Sequence, residues 1–115
     1  MIDVGFLVRF LRATAMLAMP ADCQEEWLHS LGLPGKPRFA DELALEFDDG
    51  FRLLGQFVRA GWIGEPAAAR LRKLDGLLAD MSGAHNAELW TVDSLRTSPR
   101  WAAVRISARA ALLEL

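Results

Sequence analysis

The sequence predicts an all-α protein, folded as a single-domain bundle of five or six helices. Apolar residues recur every three or four positions in successive segments, and no period-two alternation is long enough for a strand. The longest apolar stripe consists of Phe39, Leu43, Phe47, Phe51, Leu54 and Val58. The chain has 115 residues, the length of one ordinary domain, so we expect one helical domain over residues 1–115.

Signals near the N-terminus divide the first third of the chain into two helices. Asp3 can cap a first helix that ends at about Met19, because Pro20 cannot continue its hydrogen bonds. Asp22 and Glu25 have the spacing of a capping box and predict a short second helix that Gly32 ends. Two prolines and a glycine then predict a loop over residues 33–37.

The apolar stripe predicts a third helix over about residues 39–60, ended by Gly61. Asp48, Asp49 and Gly50 are also turn residues, so a break there into two shorter helices remains an alternative. Gly64 and the proline two residues later predict the start of a fourth helix. The apolar stripe of that helix is Ala67, Leu71, Leu74, Leu78 and Met81.

Cap signals also divide the C-terminal part. Thr91 can cap a brief helix through Arg96, and Ser98 followed by Pro99 predicts the start of the last helix. The core face predicted for the last helix is Trp101, Val104, Ala108, Ala111 and Leu112.

Composition predicts a globular protein of the cytoplasm. Hydrophobic residues make up 52% and charged residues 24% of the chain, as in ordinary folded domains. The lone Cys23 cannot form an internal disulfide, which favours a reducing compartment. Arg9 and Arg12 interrupt the apolar N-terminal segment, so we expect neither a signal peptide nor a membrane span.

No motif predicts an enzyme, a cofactor or a metal site. His29 and His85 lack ligand partners at a recurring metal spacing, and the residues after Asp48 and Asp49 do not supply calcium ligands. Phosphate-binding loops and nucleophile elbows are also missing from the sequence.

Nucleic-acid binding is not expected either. The net charge is −2, whereas nucleic-acid-binding domains are usually basic. A helix-turn-helix over residues 55–74 would place Trp62 and Ile63 in its turn, where they are better explained as residues that fill the core.

Acidic residues are concentrated in one part of the chain. Residues 21–50 contain eight acidic residues but only Lys36 and Arg38 as bases. On a continuous helix Glu42, Glu46 and Asp49 share one face. Asp41 and Asp48 form a neighbouring row on that helix. We therefore predict Asp41, Glu42, Glu46, Asp48 and Asp49 as a binding surface for a basic protein, the alternative being a face that only keeps the protein soluble.

The C-terminal part resembles a group of small bacterial helical proteins. The resemblance rests on Met81-Ser82-Gly83, on Asn86-Ala87-Glu88-Leu89-Trp90-Thr91, and on Ser98-Pro99-Arg100-Trp101. Some of those proteins are similar to immunity proteins of toxin systems. The resemblance implies a non-catalytic inhibitor that occludes its partner, such as a basic toxin domain.

Two further hypotheses remain open from the sequence. A helical sensor domain would hold a small apolar ligand between helices, with Met16, Met19 and Met81 as adaptable walls. A homodimer would pair through the first helix, which is apolar on more than one face.

Overall fold

The computed structural model describes residues 2–32 and 40–115, and this part of the chain is helical throughout, with short connections. The predicted loop at 33–37 and Phe39 of the apolar stripe lie outside the described residues. The α-helices are α1 (Val4–Ala18), α2 (Ala21–Ser30), α3 (Asp41–Phe51), α4 (Leu54–Arg59), α5 (Glu65–Asp80), α6 (Val92–Thr97) and α7 (Pro99–Leu113). A 3-10 helix, Ala84–Trp90, connects α5 to α6. The predicted all-α class is therefore confirmed.

The helices pack around one hydrophobic core. Helix α7 packs against both α5 and α1, and α1 also packs against α3. Aromatic rings fill the centre: the Phe10 ring lies 5.2 Å from that of Phe47 and 5.7 Å from that of Phe57. The largest fully buried side chains are Trp101, Phe10, Phe47, Phe57, Leu17, Leu28, Leu43, Ile63, Leu71, Leu74, Met81 and Leu95.

Three predicted helix caps are confirmed. Oδ1 of Asp3 accepts a hydrogen bond of 3.1 Å from the Gly5 backbone N–H at the start of α1. Oγ1 of Thr91 accepts from the Ser94 N–H at 3.1 Å. Oγ of Ser98 accepts from the Arg100 N–H at 3.2 Å. These side chains satisfy N–H groups that have no partner within their own helix.

The predicted capping box at Asp22 and Glu25 is wrong. Helix α2 begins at Ala21, and Pro20 rather than Asp22 occupies the N-cap position. The Asp22 carboxylate accepts a hydrogen bond from the Cys23 N–H instead. The Glu25 carboxylate lies 3.3 Å from Nε of Arg96 on α6, so it joins two helices rather than capping one.

The predicted third helix is divided, but not at Asp48, Asp49 and Gly50. Helix α3 continues through these residues, and the chain leaves helical geometry at Leu53, where φ is −98° and ψ is 3°. The break reorients the chain so that Leu54 and Phe57 of α4 are still buried. This division and the 3-10 helix explain why the described residues contain more helices than the predicted five or six.

The C-terminal stripes are largely confirmed, whereas two predicted core residues, Leu112 and Trp62, are not fully buried. All five predicted core residues of the fourth helix, which is α5, are buried, as are four of the five predicted for α7. In the turn before α5, Ile63 is 2% exposed but Trp62 is 36% exposed. Trp62 covers the core from outside, with its ring 6.3 Å from that of Phe57.

Candidate functional site

The five predicted partner-binding residues all lie on α3, but they border different grooves. Asp41 and Asp48 face a groove between α3, the end of α5 and the 3-10 helix. Glu46 and Asp49 face the opposite side, where α3 meets α1. Glu42 is half-buried and borders neither groove. The predicted single acidic surface is therefore divided into two sides.

The first groove, here called the acidic groove, has an apolar floor and carboxylates at its edge. Two adjoining sections of about 400 and 330 Å³ share Ala44, Leu45, Ser82 and Trp90. The carboxylates are those of Asp41, Asp48 and Asp75. Among the described residues, no lysine or arginine lines either section.

Two large apolar side chains dominate the acidic groove. Leu45 is 51% exposed although it lies on the middle of α3. The Trp90 ring is half-buried and packs edge-on against Trp101, at 5.4 Å between centroids and an interplanar angle of 88°. Nε1 of Trp90 donates a hydrogen bond of 2.9 Å to the Met81 carbonyl. With its N–H group satisfied inside the protein, Trp90 offers the groove an apolar surface.

Hydrogen bonds hold the 3-10 helix that forms one wall of this groove. Gly83 has a φ of +106°, which lets the chain reverse after α5, because glycine adopts such angles without steric cost. The Asn86 side-chain amide donates to the backbone carbonyls of Asp80 and Ser82. Nε1 of Trp101 donates to the Leu89 carbonyl at 2.6 Å. The wall is therefore fixed to both α5 and α7.

The three carboxylates differ in their surroundings. Asp48 forms an exposed ion pair with Arg52, with 2.9 Å between Oδ2 and Nη2. Within residues 2–32 and 40–115, Asp41 and Asp75 have no ion pair. Burial raises the pKa of the Asp75 carboxyl, and the negative charge of Asp48 raises it further. A cation brought into the groove would favour the ionised form of Asp75.

Replacing Asp75 with asparagine is expected to raise the free energy of unfolding slightly at neutral pH, by less than about 1 kcal/mol. The pKa of Asp75 is higher in the folded protein than in the unfolded chain, so its ionised form is the destabilising one. The gain should be complete above the raised pKa and should disappear as the pH falls below 3.8. Urea unfolding as a function of pH measures this difference.

The control for this prediction is Glu88→Gln, which removes an exposed carboxylate from the 3-10 helix. Its effect on stability should be near zero across the same pH range. If Asp75→Asn raised the free energy of unfolding equally at every pH, the ionised carboxylate would not be destabilised by burial and by Asp48.

The second groove, here called the arginine groove, lies between α1, α2 and α3. It has a volume of about 190 Å³ and is lined by Arg9, Arg12, Ala13, Met16, Trp27, Leu43 and Glu46. Of the methionines predicted as ligand walls, Met16 lines this groove, Met19 is exposed after α1, and Met81 is buried in the core. The three methionines do not form one pocket.

A buried polar network was not expected from the sequence. Gln24 is fully buried, and its Nε2 donates to the carbonyls of Met16 and Leu17 at the end of α1. Its Oε1 accepts a hydrogen bond of 3.1 Å from Nη1 of Arg105, which also donates to the Leu95 carbonyl. The available signal was that Gln24 lies four residues before the buried Leu28, on the same face of α2.

The comparisons provide no relative from which a function could be inferred. No protein-family model, curated protein or solved structure matches the chain significantly. Among the described residues, no group of three or more His, Cys, Asp or Glu side chains is arranged to hold a metal ion. None of the described helices is long and apolar enough to cross a membrane. The functional proposals therefore rest on the two grooves.

Proposed function

We propose that this protein is a non-catalytic binding module that inhibits a basic partner protein by covering its surface, and that the acidic groove is its binding surface. One observation carries the proposal: three carboxylates surround the exposed Leu45 and the apolar face of Trp90, and none of the described residues that line the groove is a lysine or arginine.

The composition of the groove fits a protein partner better than a solvated surface. Affinity in protein interfaces comes mainly from apolar side chains that enter well-packed pockets. Leu45 and Trp90 supply such a pocket for one apolar residue of the partner. Charged groups at the edge increase the association rate and select partners of opposite charge. Asp41 and Asp75 would select lysine or arginine residues beside that apolar residue.

Occlusion is the mode of inhibition that this architecture supports. The molecule measures 40 × 26 × 25 Å, so it is large enough to cover an active-site cleft of a partner domain. Packing fixes both walls of the groove, because α3 lies on α1 and the 3-10 helix is bonded to α5 and α7. A preformed surface loses little conformational entropy on binding. The C-terminal part resembles small bacterial helical proteins, some of which are similar to immunity proteins, and such proteins would act in this way.

Variants of the acidic groove test the proposal. The tagged protein captures partners from a lysate of its own cells, and the affinity of each captured protein is then measured. Asp41→Lys with Asp75→Asn, and separately Leu45→Ser, should each weaken binding at least about tenfold, since they remove the selecting charges and the apolar anchor. Binding should also weaken as the pH falls, because protonated Asp75 attracts the partner less.

The control is Glu42→Lys with Asp49→Lys, which changes the net charge at least as much on the same helix but outside the acidic groove. This variant should bind within about threefold of the unchanged protein, since charges outside the binding groove contribute little. Loss of binding in the control but not in the groove variants would move the interface to the side of Glu42, Glu46 and Asp49. Equal loss in all variants would show a general charge effect and would contradict the groove.

A further inference from the structure

The arginine groove combines charges of both signs with an apolar floor. Arg9 and Arg12 are three residues apart on α1 and therefore lie on the same face. Glu46 of α3 borders the groove from the other side. Met16, Trp27 and Leu43 form the apolar part of the lining. A few converging polar groups over an apolar floor are typical of small-molecule sites.

Two of the charges that line this groove have no ion-pair partner among the described residues. Within the described ranges, neither Arg12 nor Glu46 has an ion pair, although both line the same groove. The guanidinium carbon of Arg9 lies 5.3 Å from the centroid of the Phe6 ring, which holds this cation in place. The groove thus carries two cations and an anion that form no ion pair with each other.

Separated charges of this kind exclude simple ligands of one charge. A ligand with only a carboxylate would be attracted by Arg9 and Arg12 but repelled by Glu46. A ligand with only an ammonium group would be attracted by Glu46 but repelled by the two arginines. A ligand that carries a carboxylate and an ammonium group satisfies both sides. The apolar floor then requires an apolar substituent on that ligand, since polar groups without partners are costly to bury.

We infer that the arginine groove binds a free α-amino acid with an apolar side chain. Arg12, assisted by Arg9, receives the carboxylate, and Glu46 receives the ammonium group. The side chain lies against Met16 and Trp27. A volume of about 190 Å³ suits a branched aliphatic or phenyl group, because a cavity of about 150 Å³ can hold a benzene molecule.

This site is independent of the proposed partner-binding function. The arginine groove and the acidic groove lie on opposite sides of α3 and share no lining residue. Failure of one proposal therefore leaves the other unchanged.

Calorimetry with the full chain and four probes tests the inference. L-leucine and L-phenylalanine should bind with a Kd of about 1 mM or tighter, as expected for a small ligand. N-acetyl-L-leucine lacks the ammonium group and L-leucinamide lacks the carboxylate, so each should bind at least about tenfold more weakly than leucine. No heat from leucine or phenylalanine at about 10 mM would overturn the inference. Equal binding of leucine and its two derivatives would do the same.

Variants assign the two charged ends. Arg12→Gln should weaken the binding of leucine about tenfold but leave the binding of leucinamide, which lacks the carboxylate, nearly unchanged. Glu46→Gln should likewise weaken the binding of leucine about tenfold but leave that of N-acetyl-leucine, which lacks the ammonium group, nearly unchanged. Arg59→Gln, an exposed arginine on α4 outside the groove, should leave all four affinities unchanged. A purely structural role of Arg12 or Glu46 would weaken every probe equally, and that result would contradict the assignment.

Discussion

Replacing Gly50 with alanine is expected to lower the free energy of unfolding by about 2–3 kcal/mol. Gly50 is buried on α3, where this helix crosses α1. A Cβ atom at this position would lie 2.5 Å from Cδ1 and 2.6 Å from Cβ of Phe10. Phe10 is fully buried between Phe47 and Phe57, so its ring cannot move aside without disturbing the centre of the core.

The expected sign is opposite to that of helix propensity. Alanine is favoured over glycine inside a helix by about 1 kcal/mol, and Gly50 lies within α3. The close approach of α1 outweighs this gain, because protein interiors are packed too densely to accept an added methyl group. Thermal or urea unfolding of the variant measures the net effect.

Gly76→Ala on α5 is the matched control. Gly76 is exposed, and a Cβ atom added there would meet nothing within 4 Å. The control should therefore stabilise the protein by about 0.5–1 kcal/mol. If Gly50→Ala were neutral or stabilising, α1 and α3 would not be in contact as described.

A second substitution tests whether Phe10 causes the effect. Phe10→Leu alone should destabilise the protein, since it leaves unfilled space in the core. In the double variant Gly50→Ala with Phe10→Leu, the added methyl group gains room. The combined loss should therefore be smaller than the sum of the two single losses, with a coupling of about 1 kcal/mol or more.

Local signals in the sequence predicted most of the helix boundaries. The caps at Asp3, Thr91 and Ser98 depend on a side chain and on backbone groups within three residues of it, so they can be read without knowledge of the fold. The same holds for the apolar stripes of α5 and α7, whose period indicates which face is buried. The role of Glu25 could not be predicted from neighbouring residues, because its partner Arg96 lies on another helix.

The candidate site could be predicted only in part. Helical spacing separated Asp41 and Asp48 from Glu42, Glu46 and Asp49, as the structure also does. It could not indicate that Asp48 shares a groove with Asp75 and Trp90 while Glu46 shares another groove with Arg12, because these arrangements depend on how α5 and α1 pack against α3. The break at Leu53 also depends on tertiary packing, because it allows Leu54 and Phe57 to be buried.

Replacing the buried Gln24 with methionine is expected to lower the free energy of unfolding by about 2–3 kcal/mol. Methionine has a similar volume, so the change removes hydrogen bonds and leaves little empty space. The Leu17 carbonyl loses its bond from Nε2, and Arg105 loses the acceptor Oε1. The Met16 carbonyl still accepts from the Met19 N–H.

The end of α1 explains why this loss is large. The last carbonyls of a helix have no partner within it. Here Gln24 bonds to two of them, and Nε of Arg109 donates to the Ala18 carbonyl at 2.7 Å. Arg105 also bonds to the Leu95 carbonyl in α6. Gln24 therefore connects α1, α2, α6 and α7, and an unsatisfied group at this junction remains buried.

A double-mutant cycle with Arg105→Met determines whether the network acts as a unit. Gln24 and Arg105 share one hydrogen bond, which either single substitution removes. The sum of the two single losses of unfolding free energy should therefore exceed the loss in the double variant by about 1–2 kcal/mol. Gln56→Met on α4 is the control, because Gln56 is exposed and its replacement should change stability by less than about 0.5 kcal/mol. Strictly additive losses for Gln24 and Arg105 would mean that each residue stabilises its own helix ends separately. Coupling would instead show that Arg105 of α7 fixes α1 and α2 relative to each other. These two helices carry Met16 and Trp27, which line the arginine groove.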